Sequence, residues 1–146
     1  MKNILILLLG LLLSYSGFSQ TQIVGDTVIS NNKSKLKVKV YYFHVKERCH
    51  TCYAIEENFR KTLFTYFQTE LDNGIIDMYI VNCELPENQV LVKKYDAYGS
   101  TFAITPYKDG IDMKTIELSN WAYQKVNKPE VFVAELKSKI IDLISK

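Results

Sequence analysis

Cys49-His50-Thr51-Cys52 constrains this chain more than any other segment. It follows the apolar run Val38-Lys39-Val40-Tyr41-Tyr42-Phe43 and opens a stretch with helical periodicity. Two cysteines separated by two residues can close a small disulfide ring. Where the first caps a helix, its sulfur sits among unpaired N–H groups at the positive end of the dipole. That environment favours the thiolate, which is the reactive form. Strand, Cys-x-x-Cys and helix in that order is a redox signature, although the same cysteine spacing by itself also serves zinc. Cys49, at the loop–helix junction, is the candidate nucleophile and the more exposed thiol. Cys52, one turn into the helix, is the candidate resolving thiol that would release a mixed disulfide at Cys49. Lys46, Arg48 and His50 lie nearby in sequence and each favours a thiolate if it is also close in space, with Glu47 partly offsetting them.

The compartment fits disulfide chemistry. Lys2 supplies a positive start, Ile4 to Leu13 is apolar except for Gly10, and Gly17-Phe18-Ser19 offers small residues before Gln20. Residues 1–19 therefore read as a cleaved signal peptide whose apolar part is too short to span a bilayer, and no stable membrane anchor is expected. No cysteine closely follows that run, which argues against a lipoprotein anchor. The expected location is periplasmic or secreted, where disulfides persist. The full chain carries a formal charge of +2, and loss of Lys2 leaves +1, so no strong field favours nucleic acid or an anionic membrane. The three cysteines are an odd number: Cys49 and Cys52 pair naturally and Cys83 is left over.

The remaining pattern predicts one α/β domain. Residues 20–34 read as a flexible polar lead-in, and residues 35–146 as the folded domain. Leu36 to His44 reads as a strand entering a buried sheet position, followed by a polar loop from Val45 to Arg48. From Thr51 to Leu71, Ile55, Phe59, Leu63 and Phe67 recur every four residues, as a helix requires. Asp72-Asn73-Gly74 ends it, with glycine just past the helix end. Ile75 to Asn82 is a second strand and Pro86 to Tyr95 a shorter helix. Thr101 to Thr105 and Ile111 to Leu118 form a hairpin around Lys108-Asp109-Gly110. A last helix begins near Pro129, with Asn127 as its cap, and buries Val133, Leu136, Ile140 and Leu143 or Ile144. The order β-α-β-α-β-β-α gives a mixed sheet flanked by helices.

With the dithiol, this element order and Lys94-Tyr95-Asp96-Ala97-Tyr98-Gly99-Ser100-Thr101, residues 35–146 resemble the thioredoxin-like family, a three-layer α/β sandwich. Tyr42-Phe43-His44, Arg48-Cys49-x-x-Cys52, Ala54-Ile55-Glu56, Pro86-Glu87-Asn88, Tyr98-Gly99-Ser100 and Trp121-Ala122 further resemble exported bacterial thioredoxin-like proteins labelled nitrophenyl compound nitroreductase subunits of the ArsF type. The resemblance implies catalysis by Cys49 and Cys52. It also implies partner-chain binding along Arg48, His50, Ser100 and Thr101. Three positions depart from the thioredoxin pattern. Thr101 stands where a cis-proline faces the disulfide, and a cis bond before threonine would cost about 3 kcal/mol, so trans is expected. Phe43 occupies the slot of a buried acid, and Arg48 that of a tryptophan.

The resulting expectation is an exported thiol–disulfide oxidoreductase acting on exported protein thiols or disulfides, or taking electrons from a membrane donor. It needs no cofactor, as no nucleotide, flavin or haem motif is present. Two other readings stand beside it. Cys49, Cys52, Cys83 and His44 or His50 form a soft set suited to Cu(I) or Zn, which would make the chain a metal-binding or metallochaperone module. The domain could also be a redox-quiet accessory subunit. Cys83, at the C-terminal end of the second strand, can approach the dithiol as an auxiliary thiol or remain a buried small hydrophobe. His44, at the end of the first strand, is either a proton shuttle or a packed histidine. Trp121 and Tyr123 read first as packing residues.

Overall fold

The computed structural model describes residues 21–24 and 27–146. The expected signal peptide, residues 1–19, lies outside the described residues. Among those described, no helix is long and apolar enough to cross a membrane.

The elements are β1 (Thr21–Val24), β2 (Thr27–Ser30), β3 (Val38–His44), α1 (His50–Tyr66), α2 (Gln68–Asp72), β4 (Ile76–Asn82), α3 (Gln89–Tyr95), β5 (Thr101–Lys108), β6 (Ile111–Asp112), β7 (Ile116–Glu117), α4 (Ser119–Lys125) and α5 (Pro129–Ile144). The sheet runs β1-β2-β4-β3-β5, and β6 and β7 each pair with β5. β3 is parallel to β4 and antiparallel to β5. Val38, Val40 and Tyr42 of β3 pack with Ile55, Phe59 and Leu63 of α1 and with Phe132, Leu136 and Ile140 of α5. Tyr41 and Phe43, alternate residues on the same strand, pack with Val81, Val92 and Ala97 on the α3 side. β3 is thus buried on both faces, which explains its nearly continuous apolar sequence. The layers are those of a thioredoxin-like α/β sandwich. Each fully buried large apolar side chain, such as Phe59, contributes about 1.5–3 kcal/mol.

This topology gathers three loops at one sheet edge. β3 ends opposite the end of β4, with His44 aligned to Asn82. β5 begins there, with Thr101 aligned to Phe43. The loop into α1, the loop leaving β4 at Cys83, and the Gly99-Ser100 entry to β5 therefore meet around the dithiol's end of the domain.

Four details differ from the sequence reading. The polar lead-in contains strands: β2 pairs with β4 through Val28 and Met78, and Ser30 is buried with its N–H donating to Asp77 Oδ1 at 2.9 Å. The long helix breaks at Phe67 (φ −132°), and both Phe67 and Leu71 reach the core. Gly74 follows with φ +68°, and a Cβ there would lie 2.4 Å from Ser30 Oγ, so glycine serves both the helix stop and the close approach. The return strand from Ile111 to Leu118 is only the short pieces β6 and β7, and the unexpected helix α4 follows it. Lys128, rather than Asn127, takes the cap position of α5, without a side-chain hydrogen bond, and Pro129 opens the helix.

Candidate functional site

Cys49 is the N-cap of α1. Its backbone is extended (φ −78°, ψ 163°), and its sulfur accepts the Cys52 N–H at 3.3 Å. The Cys49 side chain thus satisfies one of the free N–H groups at the helix start, the role that a serine or aspartate oxygen usually plays. No acidic residue lies in the first turn to offset the helix dipole. Cys49 is exposed and Cys52 buried, both are free thiols, and their sulfurs lie 2.7 Å apart. The loop before them is tied to the sheet edge by the Lys46 N–H, which donates to Glu84 at 2.5 Å.

Behind Cys52 sits a group of hydroxyls. Tyr42 Oη donates to the Cys52 carbonyl at 2.7 Å and lies 2.9 Å from Ser100 Oγ. The Ser100 and Tyr123 hydroxyls also act on the Cys52 thiol and favour its ionised form. Burial opposes ionisation of Cys52. The Cys49, Ser100 and Tyr123 side chains outweigh burial and hold the thiol below its ordinary value. The two sulfurs touch, so a thiol S–H of one can donate to the other. Burial keeps the Tyr42 phenol protonated, well above its ordinary range. The Ser100 hydroxyl lowers the Tyr123 phenol, but burial and the Cys52 charge raise it further, so it too stays protonated. Sequence reasoning missed Tyr42 and treated Tyr123 as packing. The three hydroxyls come from β3, the β5 entry and α4, and no local motif links them.

Arg48 is not aimed at the thiols. Its guanidinium pairs with Glu56 and lies over the Tyr53 ring, 5.3 Å from the centroid. Arg60 holds the other Glu56 oxygen, at 2.8 Å from Nε and 2.7 Å from Nη2. This buried carboxylate between two arginines was not anticipated. It neutralises much of the positive charge that Arg48 brings to the site. His50 is the exposed first residue of α1. Thr101 is the half-buried first residue of β5, and all described peptide bonds are trans. Phe43 is fully buried against Tyr95, with centroids 5.3 Å apart, so no acid occupies that slot.

Cys83 and His44 stay apart from the dithiol chemistry. The Cys83 N–H donates to the His44 carbonyl at 2.7 Å, and its thiol faces the Gly99 carbonyl at 3.7 Å. Burial pushes that thiol up, away from the reactive form. His44 is buried with Nδ1 on the Val45 carbonyl at 2.9 Å, and burial lowers its basicity. Among the described residues no three His, Cys, Asp or Glu side chains converge as a tetrahedral zinc site would require. The soft-metal set weighed from sequence is therefore not assembled. A cavity of about 540 Å³ lies at the other end of the sheet, lined by Leu36, Lys37, Pro106, Met113 and Leu143, and touches neither site cysteine.

No protein-family model matches this chain, and no curated protein matches it. Among solved structures, one described as "Structure of a malarial protein" aligns with 63% of this chain and 94% of its own length, at 20% identity and a TM-score of 0.38. A likeness that distant carries no argument about the site.

Proposed function

We propose that this protein is an exported thiol–disulfide oxidoreductase that uses Cys49 and Cys52 on the disulfides or thiols of exported proteins, or on a membrane electron donor, in a periplasmic or extracellular setting. The observation that carries the reading is Cys49 as an exposed helix cap in contact with a buried second thiol. A structural disulfide has no need of an exposed, helix-capping sulfur. A nucleophile does.

The exchange proceeds in two displacements. The Cys49 thiolate attacks one sulfur of a client disulfide, the client S–S bond breaks, and a client thiolate leaves and takes up a proton. The Cys52 thiol loses its proton and attacks Cys49 Sγ, closing the Cys49–Cys52 disulfide and expelling the second client thiolate. Two electrons pass from the dithiol to the client, and the reverse sequence oxidises a reduced client. Arg48 and His50 flank Cys49 in sequence, Ser100 and Thr101 open β5 at the same sheet edge, and the four would supply the surface that a client chain meets.

The test is insulin reduction, with dithiothreitol as electron donor. The reading expects activity in the wild type and its loss in Cys49→Ser. Equal rates for the two would reject it. A redox-quiet accessory role would instead show as slow reaction of both thiols with iodoacetamide at neutral pH.

A further inference from the structure

The cavity of about 540 Å³ lies where β3 begins and β5 ends, at the opposite end of the sheet from the dithiol. Its walls are held by main-chain bonds. The Lys37 N–H donates to the Ile75 carbonyl at 2.9 Å, the Tyr107 N–H to the Lys37 carbonyl at 2.7 Å, and the Met113 N–H to the Pro106 carbonyl at 2.8 Å. Small-ligand sites span roughly 300–1,000 Å³, so the volume suits one small molecule. One part of the lining is apolar: Leu36, Pro106, Met113 and Leu143. Met113 is 49% exposed, so the described residues leave this apolar wall open to water.

The rest of the lining is cationic. Lys35, Lys37 and Lys108 line the cavity and are exposed. Among the described residues, no ion pair joins any of the three to an acid. By contrast Lys33 is paired with Asp77, and Lys39 and Lys94 with Asp112. Asp109 is the single acidic side chain in the lining, and Lys146 adds a further cation. A concave apolar wall beside unpaired lysines has a definite chemical complement. An inorganic anion would leave the apolar wall in water, a neutral hydrocarbon would leave the cations unused, and a cationic amphiphile would be repelled.

We propose that this cavity binds a small amphipathic anion, a carboxylate on a medium-length apolar chain. The tail lies on Leu36, Met113 and Leu143, and the head meets Lys37 and Lys108. Burial of the tail supplies the affinity, and the lysine charges select the head. The site is separate from Cys49 and Cys52 and does not depend on their chemistry.

The probe is sodium decanoate, added below its micelle concentration to uniformly ¹⁵N-labelled protein and followed by amide chemical shifts. Saturable one-site shifts should centre on Leu36, Lys37, Tyr107, Lys108 and Met113 and leave the Cys49 and Cys52 amides in place. Acetate, which lacks the tail, and decyltrimethylammonium, which reverses the head charge, should bind at least tenfold more weakly. The double variant Lys37→Gln, Lys108→Gln should weaken decanoate about tenfold, the effect of a hydrogen bond to a charged group. Met113→Asp, which puts a negative charge on the apolar wall, should weaken it at least as much. All three positions are exposed, and the shifts of distant amides report whether each variant keeps the fold. Three results would each overturn the proposal: no saturable shifts at the cavity, equal affinity for decanoate and decyltrimethylammonium, or unchanged decanoate affinity in both variants. Phosphatidylglycerol vesicles form the last arm. Cosedimentation with vesicles, without a response to free decanoate, would assign these lysines to a lipid surface and overturn the small-molecule site.

Discussion

Glu56 offers a quantitative check on the electrostatics around the site. Its carboxylate side chain is 12% exposed and the Arg48 side chain 15% exposed. At an effective dielectric near 20, a contact pair attracts by about 4 kcal/mol, a gain that desolvation largely offsets. Removing one partner from a buried pair costs about 3–5 kcal/mol, because the other charge remains buried. Glu56→Gln keeps one acceptor oxygen, and Arg48 retains some water, so the expected loss is about 2–3 kcal/mol. With a urea slope of about 1.5 kcal/mol/M, the unfolding midpoint should fall by about 1.5 M. The control is Lys125→Met, which removes an ion pair to Glu135 between side chains 32% and 38% exposed. An exposed pair of that kind contributes little, and added salt should shrink its effect while leaving that of Glu56→Gln largely intact. Equal midpoint shifts for the two variants would refute the claim that the Arg48–Glu56–Arg60 group is buried and structural.

Three further outcomes follow from the same structure. Gly74→Ala should destabilise by about 2–4 kcal/mol, from the left-handed backbone at φ +68° and the crowding of Ser30, and an unchanged thermal midpoint would contradict it. The dithiol's reduction potential should lie above about −270 mV, because the helix start and the Ser100 and Tyr123 hydroxyls favour the reduced thiolate, and glutathione equilibration read by mass spectrometry would show otherwise if the value were lower. Burial holds His44 below its ordinary value of 6.5, with Arg48, Glu56 and Arg60 also acting on it. The unfolded chain therefore protonates first, and the stability that the neutral imidazole contributes is present above 6.5 and lost as pH falls through the folded value. Urea midpoints should drop between pH 7.5 and 5.5, less so in His44→Asn, and parallel profiles for the two proteins would count against this.

The parts legible in the sequence are those with strong local pattern. β3 shows as an apolar run, α1 as a four-residue repeat, and the dithiol as a motif whose setting both elements define. The N-terminal strands were not legible. β2 is four residues long, and its inward residues are Val28 and Ser30, whose burial depends on Asp77, far along the chain. α4 buries only Ala122 among its seven residues, too little for a readable stripe. The break at Phe67 carries no glycine or proline, since both neighbouring helices bury their ends in one core. At the site, Cys49 and Cys52 were readable because they are adjacent in sequence. The hydroxyl contact joins positions 42 and 100, and Arg48 meets Glu56 across a helix start, so both needed the fold to assemble them. Cys83 was ambiguous in sequence. Its position at the β4 end was readable, but its burial against Gly99 was not.

The central claim is that Cys49 attacks and Cys52 resolves. It is tested most directly by trapping the mixed disulfide. Reduced Cys52→Ala and Cys49→Ala proteins are each mixed with oxidised insulin, quenched with acid and analysed by non-reducing mass spectrometry. The account predicts a stable adduct at Cys49 in the Cys52→Ala protein and none in the Cys49→Ala protein. An adduct at Cys52 in the Cys49→Ala protein, formed as fast as its counterpart, would contradict it.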